Sequence, residues 1–209
     1  LLEGEAVFRP GVGGTTTCAV ADRWGNMVSA TPSANVRGGG GQAGVTYGNR
    51  LLSFNTTPGH PNCIQAGKRP RITLTPTLVL KDDRPVLAIS VAGGDLQDQT
   101  TLNCLLNVIE FGMNPKEAVS CARFSTRHHE NSFNPDRKRE ISGLGQLTLQ
   151  DTIPATVRSN LAGRGHRVAT AGGAIAAPVM LLHDRKTDLL HAAGDPRAGR
   201  HAAVLQPVE

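Results

Sequence analysis

A hydroxyl that attacks a carbonyl needs a base beside it, and the run Gly13-Gly14-Thr15-Thr16-Thr17-Cys18-Ala19-Val20-Ala21-Asp22 offers one way to supply it. Two glycines lead into a threonine that heads an expected β-strand. A cut in the backbone before Thr15 would place a free α-amine next to the Thr15 hydroxyl, where it could take the proton. The same residues also suit an inert loop and strand start, since β-branched threonine fits a pleated strand and Gly-Gly fits a turn. Cys18 is a rival nucleophile, but it lies inside the expected strand with no freed amine beside it. The residues that follow have to decide between these readings.

Those residues read as a hairpin. Thr16 to Asp22 forms one strand, Asp22-Arg23-Trp24-Gly25 the turn, and Asn26 to Thr31 the return strand. Thr31, Ser33 and Asn35 then recur at period two, so an extended chain points them to one side. Antiparallel pairing brings that polar row to the strand end carrying Thr15. The hydroxyls and the amide could hold a nucleophile and a substrate, or could be a solvated strand face.

The run from Thr15 to Asn35 resembles the start of the small subunit of γ-glutamyltranspeptidases. Further matches follow in the family's order: Pro58-Gly59-His60-Pro61-Asn62, Lys68-Arg69-Pro70 with Thr75-Pro76-Thr77, Ala92-Gly93-Gly94, Glu117-Ala118 with Arg123-Phe124, and Asp195-Pro196-Arg197. Each motif is weak alone; their shared order and spacing from Thr15 to about Arg200 are specific. The resemblance implies an α+β fold, a four-layer α-β-β-α sandwich of the N-terminal-nucleophile hydrolase type. It also implies acyl transfer: Thr15 as nucleophile and, through its amine, as base; Ser33 in the place of a second, supporting threonine; Asn35 as a substrate contact. Gly93 and Gly94 fall on the pair whose backbone N–H groups form the oxyanion hole. Glycine suits that role because it lacks the Cβ that would block a close approach.

The departures from the family are equally specific. Thr17 stands where a histidine is usual. In Gly48-Asn49-Arg50-Leu51-Leu52-Ser53-Phe54, Ser53 takes the place of the aspartate that holds the glutamyl α-amine. In Arg71-Ile72-Thr73, one of two clamping serines is replaced by Ile72, leaving the Thr73 hydroxyl. An ammonium group needs an anion, and this stretch offers the cation Arg50 instead. The expected substrate is therefore a small amide or an acidic or oxo-acid molecule, bound by Arg50, Ser53 and Thr73, rather than a γ-glutamyl compound. Family members without the glutamyl clamp include cephalosporin acylases, oxamate amidohydrolase and homologues that cleave an oxalyl-type C–C or amide bond. A catalytically inactive scaffold is the alternative from another class. Residues 1–14 read as the tail of a large subunit or an uncleaved linker, and residues 15–209 as the nucleophile-bearing small-subunit domain. The partner implied is the large subunit of the same precursor.

Composition narrows the other options. The 209 residues suffice for one sizeable core, and with aromatics at only 3% that core must rest on Leu, Val, Ile and Ala. The formal charge of +5 is scattered, its densest cluster Asp136–Glu140 is flanked by acids, and one Trp and one Tyr leave little for base stacking. Nucleic acid is not an expected partner. No run approaches the ~20 apolar residues that span a bilayer, so no membrane helix is expected. Four cysteines without Cys-x-x-Cys spacing read as free, buried thiols, and His128-His129-Glu130 lacks a helical ligand pattern. No metal and no cofactor are expected.

The remaining elements are readable by pattern. Ile72–Lys81 and Pro85–Val91 form a second expected hairpin. Leu96–Phe111 reads as an amphipathic helix with Leu102, Leu105, Leu106 and Ile109 as its core face, stopped at Gly112. Pro115–Ala122 and Asp151–Ala162 are further helices; Val168–Thr170, Pro178–His183 and Leu189–Ala193 are strands. Gly38–Gly41 and Gly143–Gly145 are loops, and neither precedes a helix as a phosphate cradle would.

Overall fold

The computed structural model describes residues 14–34, 50–132 and 143–204. Asn35, the Gly38–Gly41 loop and the Asp136–Glu140 cluster lie outside the described residues. The first four strands are short: β1 (Gly14–Thr15), β2 (Cys18–Ala21), β3 (Met27–Ala30) and β4 (Ser33–Ala34). β2 pairs with β3 and β1 with β4, both antiparallel. The turn between β2 and β3 is built by Asp22. Its carboxylate accepts hydrogen bonds from the Asn26 side chain at 2.7 Å and from the Trp24 and Asn26 amides at 2.9 Å. These bonds, the Asn26 side chain first, hold the Asp22 carboxyl below its ordinary range. Gly25 closes the turn at φ +86°, a backbone that glycine adopts without strain.

The second hairpin joins β5 (Thr77–Lys81) to β6 (Arg84–Ala92), with Asp82 and Asp83 both in the left-handed region. The expected strand from Ile72 begins only at Thr77, because Pro76 has no N–H for a ladder. Helices α1 (Gln97–Ile109) and α2 (Pro115–Ser120) follow, then β7 (Phe124–Ser125), β8 (Gln146–Gln150), α3 (Ala155–Gly163), β9 (Arg167–Ala171), β10 (Ala177–Asp184) and β11 (Leu189–Gly194). α2 starts on a reciprocal cap: the Asn114 side chain accepts from the Glu117 amide, and the Glu117 carboxylate accepts from the Asn114 amide. α3 starts later than the expected Asp151, because Pro154 disfavours helical backbone at the residue before it. β7 and β8, with β9, form a separate three-stranded sheet that pattern reading missed.

The core is organised by β6. Four antiparallel strands run in the order β11-β10-β6-β5. From Leu87 to Ala92 every residue of β6 is buried, and the alternation sends two sets to opposite faces. Leu87, Ile89 and Val91 join Met180, Cys104, Ala118 and Val119 on the α1–α2 side. Burying each such Leu, Ile or Val is worth roughly 1.5–3 kcal/mol. The other set is small: Ala88, Ser90 and Ala92. Ala88 packs on Met27 of the β2–β3 hairpin. The Ser90 hydroxyl bonds Thr31 Oγ1 and the Ala30 carbonyl, each at 2.8 Å, and Ser29 Oγ donates to the Ile89 carbonyl at 2.7 Å. These contacts stack the hairpin on the sheet, giving helix, sheet and hairpin as successive layers. The expected α+β class is what forms.

The expected core stripe of α1 is corrected. Leu102, Leu106 and Ile109 are exposed, and only Leu105 packs partly against the core. α1 instead buries Gln97, Thr100, Thr101 and Cys104. Two of these polar residues are bonded to Thr75: the Thr101 hydroxyl bonds Thr75 Oγ1 at 3.3 Å, and Gln97 Oε1 accepts from the Thr75 amide at 3.2 Å. The expectation of buried thiols also fails for three of four cysteines. Cys18 is exposed, Cys63 and Cys121 are half-buried, and only Cys104 is buried. Burial pushes the Cys104 thiol up to about 11.

Candidate active site

The two short ladders bring Thr15 to Ser33. β1 and β4 pair in the register Thr15 with Ser33 and Gly14 with Ala34, and Thr16 N donates to the Pro32 carbonyl at 2.9 Å. Thr15 Oγ1 donates to Ser33 Oγ at 3.0 Å. The period-two row is thus split in use. Ser33 faces the threonine, whereas Thr31 is buried and spent on Ser90.

Thr15 and Ser33 open into a cavity of about 740 Å³, also lined by Gly14, Ala92, Gly93, Gly94, Arg50, Leu52 and Ser53. Gly93 and Gly94 leave the end of β6 and enter a 3-10 turn, Gly94–Leu96, that runs into α1. Both have positive φ, +157° and +57°. A Cβ on Gly93 would lie 2.7 Å from Ala176 Cβ, so this backbone admits no side chain. Six sequence-predicted residues therefore meet at one cavity: Thr15, Ser33, Gly93, Gly94, Arg50 and Ser53.

Another part of the lining comes from a 3-10 turn, Arg50–Ser53. Among the described lining residues, Arg50 alone carries a charge. Ser53 is buried, and its hydroxyl has no hydrogen-bond partner among the described residues. The turn is braced from behind by Asn62, whose side chain donates to the Ser53 carbonyl at 2.6 Å and accepts from the Arg71 amide at 3.0 Å. Asn62 sits in one of the matched motifs, yet its side-chain role could not be read from the motif. Thr73 is a correction: it is buried away from the cavity lining, with an unpaired hydroxyl of its own. Ile72 beside it is exposed, and both lie in the irregular segment before β5.

Ala174, Ala176, Ala177 and Ala198 complete the lining, and none was singled out from sequence. Small residues without reactive groups leave no chemical signal. Among the described residues, no group of three His, Cys, Asp or Glu side chains could hold a metal ion. None of their helices is long and apolar enough to cross a membrane.

The model of the γ-glutamyltranspeptidase family matches residues 4–205. The chain belongs to the γ-glutamyltranspeptidase family. It is 37% identical over 163 residues to the glutathione hydrolase proenzyme of Bacillus subtilis (strain 168), covering 76% of this chain and 25% of that protein. It is 30% identical over 167 residues to the acylase ACY 1 proenzyme of Pseudomonas sp. (strain SE83), covering 76% of this chain and 27% of that protein. The chain thus spans about a quarter of the length of these curated relatives. A crystal structure of a Helicobacter pylori γ-glutamyltranspeptidase variant superposes with a TM-score of 0.68 at 30% identity, over 87% of this chain and 99% of that one. A cephalosporin acylase from Bacillus halodurans gives a TM-score of 0.64 at 28% identity, over 78% of this chain and 28% of that one. Membership in the γ-glutamyltranspeptidase family fixes the fold as that of N-terminal-nucleophile hydrolases.

Proposed function

We propose that this chain carries the nucleophile of an acyl-transferring amidohydrolase, with Thr15 freed by cleavage of the Gly14–Thr15 bond. The observation that carries the reading is the Thr15 Oγ1–Ser33 Oγ hydrogen bond of 3.0 Å inside a cavity shared with Gly93 and Gly94. With Gly14 attached, the Thr15 nitrogen is an amide and cannot accept a proton; after the cut it is an amine. The amine then takes the hydroxyl proton as Oγ1 attacks the substrate carbonyl. Ser33 holds the hydroxyl in line. The N–H groups of Gly93 and Gly94 receive the developing oxyanion, a donor typically being worth roughly 3–4 kcal/mol. The ammonium returns its proton to the leaving amine, an acyl-threonine ester forms, and water or an acceptor amine resolves it. The names of the relatives, glutathione hydrolase proenzyme and acylase proenzyme, fit a precursor processed in this way. The second subunit of that precursor is the partner this reading requires.

The substrate is read as an acyl group that carries an acidic end without an α-ammonium. Arg50 supplies a cation, and the described lining holds no carboxylate to meet an ammonium. Asn35 joins this set through the family resemblance. Such a site favours hydrolysis of glutaryl-p-nitroanilide over γ-glutamyl-p-nitroanilide. The test is to compare kcat/KM for the two on the full-length protein. Higher efficiency on the γ-glutamyl compound would overturn the substrate reading. The intact constellation around Thr15 counts against the inactive scaffold, which would run as one unbroken band on a denaturing gel.

A further inference from the structure

Two buried side chains outside the cavity tie its walls together. Arg123 and Asp195 form an ion pair with both side chains almost fully buried, and neither lines the cavity. Asp195 uses its second oxygen to accept from the Arg197 amide at 2.9 Å, capping the turn Pro196–Ala198, and Ala198 lines the cavity. Arg123 Nε donates to the Ile175 carbonyl at 3.1 Å, between the lining residues Ala174 and Ala176. Arg123 is held in turn by Gln150: its amide donates to Gln150 Oε1 at 2.8 Å, and its carbonyl accepts from the Gln150 amide at 3.0 Å. Gln150 Nε2 donates to the Gly173 carbonyl at 3.3 Å. Residues 173 and 175, in the loop between β9 and β10, therefore have their carbonyls pinned by side chains from the same buried cluster.

The pinned loop presses on the oxyanion glycines. β10 enters its ladder with Ala177 opposite Ala92, which leaves Ala176 facing Gly93. The space a Gly93 side chain would occupy is taken by Ala176, whose Cβ lies 2.7 Å and Cα 3.2 Å from it. Ala176 itself has φ +57°, a left-handed backbone that alanine adopts only where its surroundings impose it. A buried ion pair is a poor source of stability, because desolvating both charges consumes most of the attraction. Its geometric effect is better defined: it fixes where two wall segments stand.

We propose that Arg123 and Asp195 are positioning residues for the oxyanion site, acting through the 173–176 loop and Ala176 to set the Gly93–Gly94 backbone. The proposal rests on the role given above to Thr15, Gly93 and Gly94. It predicts a particular split. Ala176→Gly relieves a strained backbone but removes the methyl that Gly93 abuts. Its melting temperature should stay the same or rise while kcat falls about tenfold and KM stays within threefold. Asp195→Asn keeps an acceptor for the Arg197 amide and loses the charge. Arg123→Lys keeps the charge and loses the donation to Ile175. Where these two fold, each should show the same fall in kcat at near-constant KM. A structural role alone would lower stability and rate together.

The experiment uses the full-length protein, with turnover of whichever of glutaryl- or γ-glutamyl-p-nitroanilide the wild type cleaves faster, and Thr15→Ala as the control. An Ala176→Gly protein whose kcat stays within threefold of wild type overturns the proposal, whatever the other variants do. So does a folded Asp195→Asn or Arg123→Lys protein with wild-type kcat. If Thr15→Ala is inactive in those same assays, the failure belongs to the positioning proposal alone. An active Thr15→Ala protein, or a wild type silent on both anilides, removes the catalytic reading and this proposal with it.

Discussion

Two parts of the cavity lining are built differently. At the reactive part, Thr15 is paired to Ser33 through both a ladder and a side-chain bond, and Gly93 is packed against Ala176 with no space to spare. Behind it stand buried, mutually bonded groups: Arg123, Asp195 and Gln150. In the other part, the Arg50–Ser53 turn carries two exposed leucines and a buried hydroxyl. The first is over-determined, as a site must be if it acts on any carbonyl presented to it. The second leaves a buried hydroxyl unpaired among the described residues, a cost to that turn. The proposed function puts chemistry and selectivity on separate pieces of backbone.

That division can be broken by substitution. Thr15→Ala should abolish both the two-band pattern on a denaturing gel and all turnover; residual activity near wild type would remove the nucleophile from the scheme. Gly93→Ala comes next. The added methyl cannot coexist with Ala176 at 2.7 Å, so the backbone must shift, and a lost oxyanion donor lowers kcat roughly 10²–10³-fold. A Gly93→Ala protein with normal kcat would show that these amides do not receive the oxyanion. In the Arg50–Ser53 turn, Ser53→Asp should change preference more than rate. Supplying an anion for an ammonium should move the ratio of γ-glutamyl to glutaryl efficiency upward about tenfold, the value of a charge-assisted bond of roughly 1.5 kcal/mol. An unmoved ratio would mean that this wall does not read the substrate. Ser33→Ala removes one neutral hydrogen bond and should lower kcat about fivefold, in line with roughly 1 kcal/mol.

The smallest effect on turnover is expected from Cys104, which is buried in the core rather than in the cavity. Its folded thiol sits at about 11 against an ordinary 9.0, because burial disfavours the thiolate. The unfolded chain therefore loses this proton first. The contribution is fully present below pH 9 and is lost as pH rises from about 9 to 11, the loss reaching roughly 2–3 kcal/mol at the top of that window. Cys104→Ala should flatten the alkaline fall in melting temperature while leaving turnover at pH 7 near wild type. An unchanged alkaline slope would mean that Cys104 does not titrate in this window.

The same contrast governs what the sequence made legible. The meeting of Thr15, Ser33, Gly93 and Gly94 at one cavity was readable because its cues are local: a hydroxyl after two glycines, a polar period-two row, and glycines where backbone must come close. Hairpins were readable for the same reason, through Asp22 to Gly25 and the Asp82–Asp83 turn. The face of α1 was not. Periodicity marked Leu102, Leu106 and Ile109 as core, but Thr75 and its neighbours packed polar groups against the opposite stripe. The place of Thr73 outside the cavity lining was not legible either, since a segment without regular structure gives no period from which to project a side chain. Asn62, Arg123 and Asp195 were visible only as members of motifs. Asn62 and Arg123 make long-range bonds, Asn62 to Ser53 and Arg71 and Arg123 to Ile175, that no local pattern shows.

The backbone at Thr15 is anchored unevenly. On its C-terminal side, the Thr16 amide is tied to Pro32, and the Thr15 side chain to Ser33. Gly14 has only its ladder place opposite Ala34 and no side chain to grip. Scission between the two would therefore let one new end drift while the other stayed moored. A severed chain that keeps its working terminus in register needs no later rearrangement to begin turnover.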